Sequence, residues 1–272
     1  MSKVKYMMNK SIALSVLLAL VSMSLLVLTG TANAGQNSVE KRQKDTEMMA
    51  AASAICKTFT GAPKISINKE GNIVVFQGSN QGDHMYNEGY TLCNTGSPAR
   101  YSNSFGDSGF GAASCNCVGN TCKVTRNTTD GKMSLVQELS KPTNFDRSFN
   151  IKMTVKNLTG ANINSVILRR LATVDINSAI DEWHDATRDS VSAWGTKADA
   201  IPFAVKLRHI TKSPTTTVSE AKVVSFNNTS CNPPDQAIAG PVFGDFDSTV
   251  QYNLGTLGPN ASKSVSVQYL RD

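Results

Sequence analysis

Hydrophobic and polar positions alternate most regularly between residues 149 and 156. Apolar side chains occupy every second position there, and polar side chains occupy the positions between them. Period two is the repeat of a β-strand, whose successive side chains point to opposite faces. The segment therefore predicts a strand with one buried face and one solvated face. The apolar positions are Phe149, Ile151, Met153 and Val155, and the polar positions are Asn150, Lys152, Thr154 and Lys156.

Shorter runs of strand type continue along the chain, separated by turn signals such as Thr128-Thr129-Asp130-Gly131. Short strands joined by such turns are typical of an all-β protein, and they predict an antiparallel β-sandwich, Ig-like or larger. We expect this domain to span residues 61 to 272, with a cysteine-rich loop region at about 93 to 122. The other predicted strands cover residues 64–67, 73–76, 123–126, 133–139, 166–171, 203–210, 221–226, 250–254 and 265–269.

Two segments favour helices instead. Residues 38 to 57, within an N-terminal segment spanning 35 to 60, begin at a capping residue, Ser38, and end in good helix formers. The second is a short inserted helix after Ser178, because large side chains recur there at spacings of three and four residues, which is one face of a helix. Those side chains are Ile180, Trp183, Thr187, Val191 and Trp194.

The first 34 residues have the organisation of a secretory signal peptide. Lys3, Lys5 and Lys10 precede an apolar run of roughly 17 residues, at the short limit for spanning a bilayer. The small-x-small sequence Ala32-Asn33-Ala34 then predicts cleavage before Gly35. The alternative is an uncleaved anchor. We expect a secreted or periplasmic protein with no stable membrane insertion after cleavage of the leader.

Six cysteines follow this leader, and an even number in an exported chain favours disulfide bonds. Three of them form a C-x-C-x4-C cluster, whose alternative interpretation is a zinc site. This cluster lacks a nearby histidine and a second close cysteine pair, so disulfides are favoured. Cys117 and Cys122 flank a tight turn and could pair across a hairpin, but the remaining pairing stays open. The six are Cys56, Cys93, Cys115, Cys117, Cys122 and Cys231.

Two segments carry a resemblance to a known class of protein. Residues 149 to 166 form a strand, a turn of the Asn-x-[Thr/Ser]-Gly type and a second strand, and residues 254 to 267 form a Leu-Gly-x-Leu turn followed by an alternating strand. Both resemble parts of bacterial extracellular Ig-like β-sandwich modules. The resemblance implies a spacer or a binding surface. This chain departs from the pattern of those modules, because it has a long insertion between the two segments and a cysteine-rich part before them.

The most unusual composition lies between residues 175 and 194, which contain both tryptophans. Carboxylate oxygens there could bind calcium, although no EF-hand spacing is present. A tryptophan beside carboxylates could hold a sugar ring by stacking and hydrogen bonding. The third interpretation is the packed helix described above. The candidate ligand-binding residues are Asp175, Asp181, Glu182, Trp183, His184, Asp185 and Trp194.

Other chemistry is weaker. Gly106-Asp107-Ser108-Gly109 matches the nucleophile loop of trypsin-like proteases, but no histidine lies in the order and context that such a triad requires. The pairs Asp181/Glu182 and Asp245/Asp247 could supply the two carboxyl groups of a glycosidase. That chemistry requires a particular distance between the carboxyl groups, which the sequence does not give. Without the three leader lysines, the 27 basic and 21 acidic residues give a net charge of +3, which does not indicate a nucleic-acid partner.

The sequence therefore predicts a secreted or periplasmic, non-catalytic β-sandwich protein that acts as a binding or structural module. The alternative is a carbohydrate-active enzyme, or a sugar- or calcium-binding domain, that uses residues 175 to 194. A third interpretation is a surface-assembly component that pairs through an exposed edge strand. The expected partner is an extracellular or cell-envelope ligand, either a glycan or a protein. No cofactor is expected apart from calcium in that alternative.

Overall fold

The fold was described from a computed structural model. Within the residues that it describes, the chain forms eighteen β-strands, all paired antiparallel, and no α-helix. The all-β prediction is therefore confirmed. The leader and the predicted helix up to residue 53 lie outside the described residues and stay predictions. The described residues are 54–78, 82–144, 146–176, 181–195, 204–210, 218–237 and 239–271.

The largest sheet has nine strands. Next to its central strand, β18 (Ser262–Arg271), lies β10 (Ser148–Asn157), where the four apolar side chains of the alternation are all buried, as predicted. From one edge to the other its strands are β16 (Val242–Gly244), β12 (Glu182–Ala186), β13 (Ser190–Trp194), β14 (Ala204–His209), β18 (Ser262–Arg271), β10 (Ser148–Asn157), β9 (Met133–Ser140), β8 (Thr121–Asn127) and β7 (Ser114–Val118).

Two further sheets complete the fold. A six-stranded sheet packs against the inner face of the nine-stranded sheet, and a three-stranded sheet is formed by the first three described strands. The six-stranded order is β15 (Val218–Ser225), β17 (Phe246–Leu257), β11 (Ile163–Val174), β4 (Met85–Cys93), β5 (Arg100–Asn103) and β6 (Gly106–Ser108). The three-stranded order is β1 (Ile55–Phe59), β2 (Lys64–Asn68) and β3 (Ile73–Gln77).

The space between the two larger sheets contains apolar side chains and one buried ion pair. Glu88 on β4 accepts hydrogen bonds from Arg170 on β11, and its Oε1 accepts one from the Tyr269 hydroxyl on β18 at 2.7 Å. Arg170 also donates to Gln137 on β9. All four side chains are fully buried. Each charged group is surrounded by hydrogen-bonding partners, which a buried ion pair requires.

The adjacent arginines of β11, Arg169 and Arg170, point to opposite faces, because successive side chains of a strand alternate. Arg170 faces the inner acid, whereas Arg169 lies on the outer face of the six-stranded sheet. There its guanidinium donates to the backbone carbonyls of Asn228 and Ser230. These carbonyls belong to residues 226 to 236, which we call the strap. The strap covers this outer face, and Arg169 is fully buried beneath it.

All six cysteines form disulfide bonds, which confirms the prediction of a disulfide-bonded protein. The predicted hairpin pair is present, because β7 and β8 place Cys117 directly opposite Cys122. The other two bonds span 59 and 138 residues, and their partners could not be derived from the sequence. One fastens β1 to β7 and the other fastens the strap to β4. They are Cys56–Cys115 and Cys93–Cys231.

Both helix predictions are wrong where the structure describes the residues. Residues 55 to 57, the predicted helix end, belong to β1, which pairs with β2. Residues 182 to 194 form the hairpin β12–β13 instead of an inserted helix. The spacing of the large side chains fits a helical face. The side chains of residues 182–186 and 190–194, however, also alternate between buried and more exposed positions on either side of a turn. Pairing with β16 and β14 on the two sides makes the strand interpretation prevail.

Candidate functional site

The hairpin β12–β13 lies near one edge of the nine-stranded sheet and has two chemically different faces. Glu182 and His184 point inward and are buried, as are Val191 and Ala193 on the neighbouring strand. The intervening side chains point outward. The sequence-predicted tryptophans therefore lie on the opposite side of the sheet from Glu182 and His184.

Three aromatic side chains lie in a line on the outer face. Trp183 is the direct cross-strand partner of Trp194 on one side and of Phe243 on the other. The ring centroids of Trp183 and Phe243 are 5.4 Å apart. Phe243 is 48% exposed and Trp183 is 39% exposed, while Trp194 is half-buried. We call these three residues the aromatic row; it crosses three adjacent strands.

A second line of side chains runs parallel to the aromatic row, two residues further along the strands. Asp185 is paired with Ser192, and Ser192 is paired with Lys206 on β14. All three are half-exposed on the same outer face. At ~3.4 Å per residue, this polar row is about 7 Å from the aromatic row. The surface thus combines flat apolar rings with hydrogen-bonding groups of both kinds.

The inward face of the hairpin is closed to solvent. Glu182 accepts a hydrogen bond from the Ile176 backbone N–H at 2.9 Å, and its Oε2 is 3.6 Å from His184 Nε2. Burial lowers the pKa of His184 to about 4, so its ring is neutral at pH 7. The ring meets Phe246 edge to face, with centroids 5.9 Å apart. Glu182 and His184 therefore pack the end of the sandwich and do not face a substrate.

Asp247 is a second buried acid near this hairpin. It accepts hydrogen bonds from the Thr173 hydroxyl and from the Asn228 backbone N–H, and it is fully buried. Burial raises the pKa of Asp247 to about 6, and the positive charge of Arg169 opposes that rise. The other acid of this predicted pair, Asp245, is half-buried. Because Asp247 is enclosed beneath the strap, we assign it to the packing of the strap.

The structure divides the candidate residues predicted from the sequence. Trp183, Trp194 and Asp185 share the outer face, and Asp181 is exposed just before β12. Asp175, Glu182 and His184 are buried. Sequence reasoning missed Phe243, Ser192 and Lys206, which reach the surface through strand pairing. The signal that could have found Lys206 is the alternation of Val205, Lys206, Leu207 and Arg208.

No group of three carboxylates capable of holding calcium is present among the described residues. The one group there of three or more potential metal-ligating side chains, with ligand atoms within 4.8 Å of one another, is Cys56, Cys115 and Cys117. These sulfurs are all in disulfide bonds, so they do not form the alternative zinc site. The protease-like loop is structural as well, because Asp107 binds the Arg126 guanidinium with both oxygens.

The described part of the chain contains no helix with the length and apolarity that a bilayer crossing requires.

Comparisons with known proteins identify the fold and not a family. No protein-family model matches the chain, and no curated protein matches it. A bacterial glucoamylase, solved in complex with acarbose, matches 81% of this chain with a TM-score of 0.52 and 7% sequence identity. The chain spans about a third of that enzyme's length, since 33% of the glucoamylase chain is covered. At this identity the likeness shows a shared fold alone.

Two weaker structural matches were also found. A protein described as an aldose 1-epimerase from Klebsiella pneumoniae is 8% identical, with 76% of each chain covered and a TM-score of 0.35. A GH36 α-galactosidase from Geobacillus stearothermophilus, solved in complex with stachyose, is 9% identical over 67% of this chain and 27% of its own, with a TM-score of 0.26.

Proposed function

We propose that this protein is an exported, non-catalytic glycan-binding module whose contact surface is the aromatic row together with the polar row. The observation that carries the proposal is the line of Phe243, Trp183 and Trp194 across three neighbouring strands of one sheet face. The predicted extracellular or cell-envelope partner was either a glycan or a protein, and this proposal assigns a glycan to the surface. Export is supported by the signal-peptide pattern and by three disulfide bonds.

The physical argument begins with the exposure of large aromatic side chains. Such side chains are normally withdrawn from water, so a contiguous exposed group indicates a binding surface. A pyranose ring presents a face of C–H groups that stacks on an aromatic ring, while its rim carries hydroxyl groups. The aromatic row supplies the stacking surface. The polar row, about 7 Å away along the strands, offers a carboxylate, a hydroxyl and an ammonium group to the hydroxyls.

The proposal is non-catalytic because the two buried acids near the hairpin are separated from this surface. Glu182 is buried on the inward side of the sheet, and Asp247 is buried beneath the strap. On the strand β12 itself, Asp185 shares the surface with the tryptophans. A glycosidase requires two carboxyl groups that flank the sugar bond. Glu182 and Asp247 are too deeply buried to fill these two roles at the aromatic row. The likeness of fold to a glucoamylase is compatible with a sugar ligand but does not identify one.

The experiment is a binding titration with a panel of soluble oligosaccharides, together with co-sedimentation on insoluble polysaccharides. Intrinsic tryptophan fluorescence reports directly on the site, because both tryptophans of the chain lie in the aromatic row. We expect Trp183→Ala to weaken binding about tenfold or more, a loss of ~1.4 kcal/mol, which is the scale of one aromatic contact.

Phe226→Ala is the matched control. Phe226 is 37% exposed, close to the 39% of Trp183, but it packs against Tyr86 and Phe105 on the other large sheet. We expect this variant to bind glycans like the unmodified protein. The proposal would be rejected if no glycan of the panel bound, or if both variants bound equally well. It would also be rejected if Trp183→Ala dissolved a dimer instead, because the row would then be a self-association surface.

A further inference from the structure

Two of the three disulfide bonds meet at the outer edge of the nine-stranded sheet. Cys117–Cys122 joins the two strands of the hairpin β7–β8, and Cys56–Cys115 fastens β1 to the same hairpin. Cys115 and Cys117 are two residues apart on one strand, so their side chains leave the same face. Cys56 approaches that face from β1. We call these four residues the sulfur cluster.

The sulfur atoms of these two disulfides are in contact. The Sγ of Cys117 lies 3.6 Å from the Sγ of Cys56 and 4.0 Å from the Sγ of Cys115. Cys56 therefore has two potential partners on β7, of which one is bonded and the other is adjacent. The remaining disulfide, Cys93–Cys231, belongs to no comparable group within the described residues. The sulfur cluster thus differs from Cys93–Cys231 in having a third sulfur, that of Cys117, close to the bonded pair Cys56–Cys115.

Access to the sulfur cluster is unequal. Cys56, Cys115 and Cys117 are half-buried, and Val118 beside them is 78% exposed at the hairpin turn. Cys122 is fully buried and packs into the core. The three clustered cysteines are therefore nearer to solvent than Cys122, which is shielded. Accessibility of the attacked sulfur is one of the factors that control thiol–disulfide exchange.

We propose that the sulfur cluster is a thiol–disulfide exchange site in which Cys56 transfers between Cys115 and Cys117. A dithiol reductant first reduces Cys117–Cys122 and is itself oxidised to its disulfide. The Cys117 thiolate then attacks the Cys56 sulfur, and a Cys56–Cys117 bond forms. The Cys56–Cys115 bond breaks at the same time, and Cys115 leaves as a thiolate that takes a proton from water. This second step involves no net oxidation or reduction.

Both pairings keep β1 fastened to β7. The sulfur cluster can consequently accept two electrons from a dithiol without releasing β1, since the reduced sulfurs become Cys122 and either Cys115 or Cys117. The class of substrate is a thiol or dithiol reductant. The cross-strand bond of the hairpin, and not the attachment of β1, is what such a reductant removes.

The test is the variant Cys122→Ala, which leaves Cys117 as a free thiol beside an intact Cys56–Cys115 bond. The folded variant is quenched with acid, denatured, alkylated and mapped by tandem mass spectrometry. We expect the alkyl group on both Cys115 and Cys117, with the less populated position above about 1%, the range of a minor state. Alkylation confined to Cys117 would overturn the proposal. In the control Cys231→Ala, the free thiol is Cys93, and the label is expected there alone.

The unmodified protein provides a second test if Cys122→Ala fails to fold, which circular dichroism detects. The native protein is treated with a limiting amount of dithiothreitol and quenched with acid. We expect a peptide pair linked through Cys56 and Cys117 to appear as Cys117–Cys122 is lost. Loss of Cys117–Cys122 without any Cys56–Cys117 peptide would overturn the proposal.

Discussion

Replacing Asp247 with asparagine should change how the stability of the protein depends on pH. Asp247 lies beneath the strap, where Thr173 and the Asn228 backbone donate hydrogen bonds to it. The charged groups that influence it are Arg169 on β11 and Asp245, which precedes it in the chain. His184 on β12 also interacts with it electrostatically. Asparagine has nearly the shape of a protonated aspartic acid and cannot ionise.

The magnitude follows from the pKa. Burial raises the pKa of Asp247 from 3.8 to about 6. Each unit corresponds to ~1.4 kcal/mol, so ionised Asp247 lowers the free energy of unfolding by about 3 kcal/mol relative to the protonated form. The pKa of Asp247 is higher in the folded state than in the unfolded state. The stability that protonated Asp247 contributes is therefore fully present below pH 3.8 and is lost as the pH rises through about 6. The Asp247→Asn variant does not undergo this loss.

The buried histidine His184 acts in the opposite direction over an overlapping range. Burial lowers the pKa of His184 to about 4, so its contribution is present above pH 6.5 and is lost as the pH falls toward 4. The two effects partly cancel in the unmodified protein. Comparing the variant with the unmodified protein at each pH removes the part of the histidine contribution that does not depend on the charge of Asp247.

The assay is urea unfolding at pH values from about 3.5 to about 7.5, followed by tryptophan fluorescence with the disulfides intact. We expect the free energy of unfolding of Asp247→Asn, relative to the unmodified protein, to rise by about 3 kcal/mol across this range. Asp185→Asn makes the same chemical change at a half-exposed carboxylate of the polar row and serves as the control. A difference for Asp247→Asn that stays constant within about 0.5 kcal/mol would refute the reasoning.

Three further substitutions test the core, each by urea unfolding at neutral pH. Glu88→Ala should lower the free energy of unfolding by about 3–5 kcal/mol, because it leaves the Arg170 guanidinium buried without its counter-charge; a loss below about 1 kcal/mol would contradict this. Lys141→Met should lower the free energy of unfolding by about 2–4 kcal/mol, because the buried Lys141 ammonium donates to three backbone carbonyls that would lose their partner. An unchanged urea midpoint would argue against that role. Gly89→Ala should prevent folding or shift the midpoint strongly, because its Cβ would overlap the Ser102 carbonyl oxygen of the neighbouring strand; a folded variant with an unshifted midpoint would disprove the close approach.

The alternation in the sequence was sufficient to predict much of the strand content. The strand β10 is buried on the predicted face, and the hairpin β8–β9 turns at the predicted residues. The disulfide Cys117–Cys122 was found because both of its cysteines lie in one hairpin. In each case the information is local, since a period of two and a nearby turn determine the structure. The resemblance to Ig-like modules stays a prediction.

The candidate site was harder to predict, because its geometry depends on distant strands. Trp183 and Trp194 are eleven positions apart, a spacing that fits one face of a helix as well as a hairpin. Pairing of β12 with β16 decided between the two, and it also brought in Phe243 from 60 positions away. The same limit applies to Cys93–Cys231, whose partners are 138 residues apart. A single sequence contains no local signal for such contacts.

The pair of arginines in β11 has a consequence for how the chain finds its fold. The order Leu168, Arg169, Arg170, Leu171 is the same in both directions. Within these four residues, each face of the sheet therefore receives one leucine and one arginine, and exchanging the two faces leaves that composition unchanged. These four side chains therefore discriminate poorly between the correct orientation and a one-residue slip. The choice must come from the neighbours, through the acid on β4 and the carbonyls of the strap. The innermost strand of this sheet is thus positioned by partners that are themselves assembled around it, and misassembly during folding should begin there.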